Sequence, residues 1–248
     1  MNEIIAEFIG TFLLILLGNG VVANVVLKDT KGFDSGWIVI TLGWGLAVFV
    51  GVSVAGPVSG AHINPAVTLG LALAGRFAWS KVLLFILAQM LGAMAGAGTV
   101  WLFYRHHFDR TDDPGAQLAS YSTIPAIRKP LSNFLSELIG TFVLVFVILY
   151  IAGPTLELEG SSAHIGLGTL GALPVGLLVT AIGLSLGGTT GYAINPARDL
   201  GPRIMHSFLP MKGKGGSDWA YAWIPGLGPM AGAAVAALLF YLHNLWFA

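Results

Sequence analysis

Six stretches of the sequence are apolar over the length that an α-helix needs to cross a lipid bilayer, which takes about 20 residues. Charged residues make up only 10% of the 248-residue chain, against about 25% in a soluble globular domain. A chain of this length cannot hide so much apolar surface inside itself, so lipid must be the solvent for much of it. The sequence therefore predicts an all-α membrane protein with six transmembrane helices. The stretches lie at roughly 4–27, 37–57, 82–104, 131–152, 167–187 and 219–247.

The charge balance and the lack of cysteine exclude several classes of function. Twelve basic and twelve acidic residues cancel, so nothing points to nucleic acid as a partner. Without cysteine there are no disulfides and no thiolate metal sites. We find no nucleophile–base constellation and no metal-ligand spacing, and therefore expect neither an enzyme nor a bound metal or cofactor. The first apolar stretch lacks a basic flank and is long, which predicts a retained span rather than a cleaved signal peptide.

The two halves of the chain resemble each other in three segments that keep their order and spacing. Each half contains three predicted spans, and an odd number means that the second half enters the membrane from the opposite side. Inverted repeats of this kind place a site near the middle of the membrane. The matching pairs are AEFIGTFLL (6–14) and SELIGTFVL (136–144), SGAHINPAV (59–67) and TGYAINPAR (190–198), and LGAMAGA (91–97) and LGPMAGA (227–233).

This repeat predicts the organisation of the chain. We expect a single domain spanning 1–248. Within it, a first repeat (1–104) and a second repeat (131–248) are joined by a hydrophilic connecting loop (105–130).

Each half carries Asn-Pro-Ala at the start of an apolar stretch that is too short to span. Proline fits the first turn of a helix, and an asparagine just before it can cap the helix while its amide remains partly free to donate. Two half-helices that meet at their N-termini place two positive dipole ends and two amide groups at the centre of a pore. A hydroxyl oxygen can accept from both amides, whereas a cation meets an electrostatic barrier. The motifs are Asn64, Pro65 and Ala66, and Asn195, Pro196 and Ala197.

Through GTFLL, SGAHINPAVT, GTFVLVF and GYAINPARDLGPR, the sequence resembles the aquaporin, or major intrinsic protein, family. The resemblance covers nearly the whole chain except 105–130 and 211–217. It implies six transmembrane helices, two re-entrant half-helices in an inverted repeat, and a homotetramer with one pore per subunit. In the family, backbone carbonyls of the segments before each Asn-Pro-Ala line the pore, which non-helical backbone can do where it borders water. The matching residues are Gly60, Ala61 and His62, and Gly191, Tyr192 and Ala193.

Several polar residues fall at membrane depth, where a carboxylate is costly. The matched positions of Glu7 and Glu137 and the family resemblance favour buried acceptors that brace the loops before the Asn-Pro-Ala motifs. The alternative is a proton relay of a pump. Gln89 is a further candidate for such a brace. His62 either packs against its loop or faces the pore, and we do not expect it to bind metal.

The resemblance also identifies a selectivity ring, the narrowest point of pores in the family, at Trp44, Gly183, Tyr192 and Arg198. Water-selective relatives usually have Phe at the position of Trp44 and His at that of Gly183. Gly183 leaves room, the two aromatic rings suit the CH edge of a polyol, and Arg198 supplies N–H donors and a permanent charge that repels cations. Glycerol facilitators usually have Phe at the position of Tyr192, so its hydroxyl is expected to add polarity and take space.

Three further residues resemble the glycerol-conducting branch: Asp199, Arg203 and Pro225. The first two are spaced i, i+4 and can pair on a helix. The resemblance thus implies a passive channel for glycerol and related small uncharged polyols, which also conducts water and excludes ions and protons. Urea is a further candidate solute. A water-selective channel is the main alternative. A coupled transporter or ion channel would be expected to show more paired ionisable residues along a pathway.

The expected location is a bacterial inner (plasma) membrane, which the short termini and the absence of a signal peptide suggest. The family topology places both termini in the cytoplasm. Of the twelve Lys and Arg residues, only Arg76 and Lys81 fall on that side, whereas the positive-inside rule predicts an excess there. The orientation taken from the family therefore stands against this count.

Overall fold

The computed structural model describes residues 1–153, 155–158 and 161–247. Within these residues, six helical segments are long and apolar enough to cross a membrane, which confirms the predicted all-α membrane architecture. The long helices are α1 (Glu3–Val26), α2 (Trp37–Ser59), α4 (Trp79–Arg110), α6 (Pro130–Tyr150), α7 (Leu173–Leu186) and α9 (Trp223–Phe247). The short helices are α3 (Pro65–Leu73), α5 (Pro114–Ala119) and α8 (Pro196–Phe208), and a 3₁₀ helix (Gly168–Ala172) leads into α7.

The structure differs from the prediction in the connecting segments. Helix α4 continues to Arg110, into the segment 105–130 that hydropathy predicted as a loop. A helix that leaves the membrane no longer needs apolar residues, so hydropathy marks the edge of the bilayer rather than the end of the helix. The short helix α5 lies in the same segment, capped by the side chain of Asp113. A hairpin of β1 (Thr155–Leu158) and β2 (Ser161–His164) was also not predicted, and it lies between two spans.

Small residues set the contacts between the long helices. Helix α1 packs on α2 and α4, α6 packs on α9, and α2 packs on α7. At the crossing of α2 and α7, Gly45 and Gly176 face each other: a Cβ on either would lie 2.7 or 2.8 Å from the carbonyl oxygen of the other. On α4, a Cβ at Gly96 would lie 2.7 Å from the carbonyl oxygen of Phe12. Close backbone approach at small residues is how helices associate in lipid.

The two half-helices α3 and α8 begin as the motifs predict, each with proline in its first turn. The Asn64 Oδ1 atom accepts from the Ala66 amide at 2.8 Å. The Asn195 Oδ1 atom accepts from the amides of Ala197 and Arg198 at 3.0 and 3.2 Å. With six spans, both termini lie on one side of the membrane, the terminal side. The chain enters α3 from the terminal side and α8 from the other side, called here the opposite side.

Candidate pore and its constriction

The two half-helices are joined at their N-termini by a reciprocal pair of hydrogen bonds. The Asn64 amide donates to the Ile194 carbonyl and the Asn195 amide donates to the Ile63 carbonyl, each at 2.9 Å. An asparagine amide has two hydrogens, so one hydrogen of each holds the opposing loop and one is left for a solute. The two isoleucine carbonyls were not among the predicted site residues, although the repeat relates them to each other.

The loop before each motif has an unusual backbone that repeats in the two halves. Gly60 and Gly191 have φ angles of 82° and 83°, in the left-handed region that favours glycine. Ala61, Ile63, Tyr192 and Ile194 also have positive φ, between 38° and 51°. Each such non-glycine residue costs on the order of 1–3 kcal/mol and persists only where the surroundings impose it. The groups that impose it here are two buried glutamates.

Glu7 holds the first loop. It is fully buried, and its carboxylate accepts from the His62 amide at 2.9 Å and the Ile63 amide at 2.7 Å. The Ser59 hydroxyl adds a bond of 2.6 Å. The Gln89 side-chain amide donates to Glu7 at 2.7 Å and to the Thr68 hydroxyl at 2.9 Å. The carboxylate therefore sits in a set of donors, which is how a charge is accommodated at membrane depth.

Glu137 holds the second loop in the same way but with fewer partners. Its carboxylate accepts from the Ala193 amide at 2.9 Å and the Ile194 amide at 2.8 Å, and the Thr190 hydroxyl also bonds to it. The last repeat segment places Pro225, a buried residue in the first turn of α9, where the first half has Gln89. Proline has no side-chain donor, so the second brace depends more on the loop amides.

The ring of His62 is packed rather than free. Its Nδ1 atom lies 3.1 Å from the Thr68 hydroxyl oxygen. The ring stands against Phe77 and Phe85, with centroid distances of 4.5 and 5.0 Å. It also borders the cavity on the terminal side of the motifs. The residue thus packs against α3 and two phenylalanines and also borders the path.

Three cavities lie in a row through the protein. The terminal-side cavity has about 120 Å³, the middle cavity about 40 Å³ and the opposite-side cavity about 300 Å³. The first two share Asn64 and Asn195 in their walls. The last two share Trp44, Tyr192 and Arg198. Because neighbours share wall residues, the row is a candidate pore, and its smallest cavity lies between the two asparagines and the side chains of Trp44, Tyr192 and Arg198.

The walls of this path differ in polarity. Leu14, Val48, Leu144 and Val179 line both the terminal-side and the middle cavity. The two asparagines and the loops that precede them supply the polar part of the lining. The four apolar residues were missed by the sequence analysis, but the repeat contained a signal for them, because Leu14 matches Leu144 and Val48 matches Val179. Such a path suits a molecule with one CH edge and one OH edge.

The predicted ring is brought together, but its members lie differently from the expectation. The Arg198 guanidinium carbon is 4.0 Å from the centroid of the Trp44 ring, a cation–π distance. The guanidinium makes no hydrogen bond to any described residue, so its donors are available at the cavity wall. Gly183 is behind Tyr192 and not in the wall: a Cβ at Gly183 would lie 2.7 Å from the Tyr192 Cζ atom. The glycine makes the notch in which the tyrosine ring sits.

The Tyr192 hydroxyl is turned away from the path, contrary to the expectation that it adds polarity to the ring. It lies beside Gly183, where an added Cβ would be 2.8 Å from the hydroxyl oxygen. The oxygen is buried and has no hydrogen-bond partner within the described part of the chain. The path therefore meets the face of this residue much as it would meet phenylalanine.

We expect Tyr192→Phe to leave the ratio of glycerol to water permeability unchanged and to leave the midpoint of thermal unfolding equal or slightly higher. An unpartnered buried polar group costs about 1–3 kcal/mol, and this change removes one. Scanning fluorimetry in detergent and stopped-flow light scattering on proteoliposomes would measure both. The matched control is Tyr150→Phe, which removes a hydroxyl bonded to His243 Nδ1 at 3.0 Å and is expected to lower the midpoint. A changed permeability ratio in Tyr192→Phe would contradict the geometry.

Asp199 and Arg203 lie outside the cavity walls and connect α8 to two loops. Both are fully buried, and the Arg203 Nε atom donates to Asp199 at 2.8 Å. The Thr123 amide and hydroxyl each donate to Asp199 at 2.7 Å. Arg203 also donates to the carbonyls of Ser217 and Asp218 at 2.8 and 3.1 Å. The pair predicted from its spacing thus fastens the opposite-side loops next to the constriction.

Comparison with known proteins gives consistent similarities over nearly the full length. The sequence profile of the family described as Major intrinsic protein matches residues 1–240. The chain is 57% identical to the glycerol uptake facilitator protein of Streptococcus pneumoniae, covering 98% of this chain and 99% of that one. It is 55% identical to the probable glycerol uptake facilitator protein of Thermotoga maritima, covering 97% and 98%. The X-ray structure of the aquaglyceroporin from Plasmodium falciparum superposes with a TM-score of 0.81 at 35% identity, covering 96% and 94%.

Proposed function

The chain belongs to the major intrinsic protein family, and we propose that it is a passive channel for glycerol and related small uncharged polyols that also conducts water. It is an integral, multi-pass membrane protein and not an enzyme. Relatives that are 57% and 55% identical to it bear the name glycerol uptake facilitator. The observation that carries the proposal is the constriction, in which an arginine with available donors faces two aromatic side chains.

Glycerol fits this constriction by its chemistry. Its carbon chain presents CH groups along one edge, which suit the faces of Trp44 and Tyr192 and the apolar wall beyond them. Its three hydroxyls lie along the other edge, where the Arg198 guanidinium and the free hydrogens of the Asn64 and Asn195 amides can donate. When such a molecule enters the constriction, its hydroxyls replace their hydrogen bonds to water with hydrogen bonds to these donors. Entry therefore does not cost unmade hydrogen bonds.

Ions and protons are excluded by fixed positive charge. The N-termini of α3 and α8 meet at the centre of the path, and each helix end carries about half a positive charge. Arg198 adds a full positive charge at the constriction. A cation that gives up its hydration water there meets repulsion rather than ligands.

The other roles in the site follow from the same geometry. We propose that Glu7, Gln89 and Glu137 brace the two loops, so that residues 60–62 and 191–193 can offer backbone carbonyls to the solute. Asp199, Arg203 and Pro225 would act behind the constriction by holding the loops and the helix start that surround it. Urea, which is small and uncharged, is a further candidate solute.

The proposal extends to organisation and location. The elements support one channel domain of two repeats joined by a connector, with the helix of the first repeat running on to Arg110. Large apolar side chains such as Leu83, Phe103 and Leu131 are exposed on its outer surface, where lipid or other subunits would cover them. We propose that the chain forms a homotetramer, in which neighbouring subunits cover part of this surface. We also propose a bacterial plasma membrane as its location, since relatives come from bacteria.

The test is glycerol entry into proteoliposomes, followed by stopped-flow light scattering and compared with protein-free vesicles. Glycerol entry well above the lipid background is expected, together with water flow and no proton leak. Val179→Phe places bulk in the wall of two cavities and should slow glycerol several-fold. Val147→Phe makes the same change on a side chain that is 37% exposed and should have no effect. Water flow without glycerol entry would mean a water-selective channel.

A further inference from the structure

Trp37, the first residue of α2, reaches across to the last turn of α7. Its indole Nε1 atom donates to the carbonyl oxygen of Gly183 at 3.0 Å. In the last turn of a helix the backbone carbonyls run out of donors from the following turn, so an indole N–H at this place acts as a cap. The capped residue is the glycine that forms the notch for Tyr192.

The same indole also contacts Tyr192. The two rings meet edge to face, with centroids 5.8 Å apart and planes at 79°, the arrangement that aromatic pairs prefer. Gly187 completes the contact, because a Cβ there would lie 2.8 Å from the Trp37 Cζ2 atom and would also overlap the tyrosine ring. The tyrosine ring is thus enclosed by Gly183, Gly187 and Trp37.

Packing alone keeps the side-chain ring of Tyr192 in this place. Its hydroxyl has no hydrogen-bond partner among the described residues, so no polar contact anchors the end of the ring. Trp37 lines the opposite-side cavity together with Tyr192 and Arg198. The residue is 39% exposed. If the indole were missing, the tyrosine could turn toward that cavity, where its hydroxyl would gain water as a partner.

We propose that Trp37 is a positioning residue for the constriction: by capping Gly183 and supporting Tyr192 it fixes the width of the ring and so the cross-section of the polyols that pass. This inference rests on the proposed glycerol channel. Trp37 does not need to touch the solute at the constriction. It acts through the tyrosine ring, whose position decides how much of the space opposite Arg198 is open.

The test compares two polyols in the same vesicles, because their permeability ratio does not depend on how much protein is inserted. For the wild-type protein, pentaerythritol, a branched tetraol with a larger cross-section, should enter far more slowly than glycerol. In Trp37→Ala we expect the ratio of pentaerythritol to glycerol permeability to rise several-fold. In Trp37→Phe we expect a smaller rise, because the aromatic edge remains while the N–H group is lost. If the alanine variant does not fold, the rise in the phenylalanine variant tests the proposal instead.

The matched control is Trp219→Ala. Trp219 lies on the same side of the membrane, is 51% exposed and donates its indole N–H to the Ser207 hydroxyl at 3.2 Å, but it is not in the wall of the path. The ratio of the two polyol permeabilities in Trp219→Ala should equal that of the wild-type protein. An unchanged ratio in Trp37→Ala, or an equal rise in Trp219→Ala, would overturn the role of Trp37 while wild-type glycerol entry persists. Absence of glycerol entry in the wild-type protein would instead overturn the proposed function.

Discussion

Replacing Glu137 with alanine is expected to lower the midpoint of thermal unfolding in detergent by roughly 5–20 °C and to remove most glycerol entry. The change leaves the buried amides of Ala193 and Ile194 without acceptors, at about 1–3 kcal/mol for each. In a chain of this size, 1 kcal/mol corresponds to about 2–4 °C. Because Tyr192 and Ile194 also hold strained left-handed backbone, the loop should relax and the constriction should lose its shape. Scanning fluorimetry and glycerol light scattering measure the two effects.

Two further variants show whether the lower midpoint and the lost glycerol entry come from loss of the loop brace or from loss of any carboxylate. Glu137→Gln keeps the shape and one oxygen acceptor, so its effects should be intermediate. Glu3→Ala removes a carboxylate that bonds Lys81 at 2.7 Å on the surface, where the Glu3 side chain is 43% exposed. Such a surface pair contributes little, so this control should behave as wild type. If Glu137→Ala matched Glu3→Ala, the loop would not depend on the buried carboxylate.

Much of the site could be predicted because the same motif residues occur in both halves of the internal repeat. The repeat aligns Asn64 with Asn195 and Glu7 with Glu137, and residues at the same place in two inverted halves are related by a shared axis, so each pair has the same role in its own half. Local chemistry then limits their roles, since asparagine before proline is a helix cap and a carboxylate within a span requires donors. The spans were predicted for a similar reason, because long apolar stretches in lipid have few alternatives.

The remainder depends on packing between elements that are distant in sequence. The direction of the Tyr192 hydroxyl is decided by the space beside Gly183 on α7, and by Trp37 on α2. No motif contains all three residues, so sequence patterns predicted an aromatic at the ring but not which edge of it faces the path. The end of α4 was missed for another reason: beyond the membrane, helix and loop share the same polar composition.

The repeat also explains why the path has one constriction and not two. Each ring position has a counterpart 131 residues earlier or later, the offset between Asn64 and Asn195. The counterparts all line the terminal-side cavity, but they are small or aliphatic and carry no charge. An almost symmetric backbone thus becomes a selective pore through side-chain differences in one half. The pairs are Trp44 with Val175, Gly183 with Val52, Tyr192 with Ala61, and Arg198 with Val67.

Among these differences, Gly183 should be the most sensitive to the smallest possible change. A Cβ at this position would lie 2.7 Å from the Tyr192 Cζ atom and 3.0 Å from the Thr41 Cγ2 atom, both too close for van der Waals contact. Since the tyrosine is enclosed on its other sides, the added methyl group should push its ring into the path. Overpacking of this kind costs about 1–3 kcal/mol, and each 1.36 kcal/mol added to a barrier is about tenfold in rate.

Gly183→Ala is therefore expected to slow glycerol roughly tenfold or more, while water, which needs less room, is slowed less. Glycerol and water permeabilities of the same proteoliposomes would show this as a fall in their ratio. Gly188→Ala is the matched control, because a Cβ at Gly188 meets nothing within 4 Å and should leave both rates unchanged. Adding Tyr192→Ala to Gly183→Ala removes the displaced ring and should restore glycerol entry. If glycerol entry stayed low in the double variant, the methyl group would be acting on the helix and not through the tyrosine.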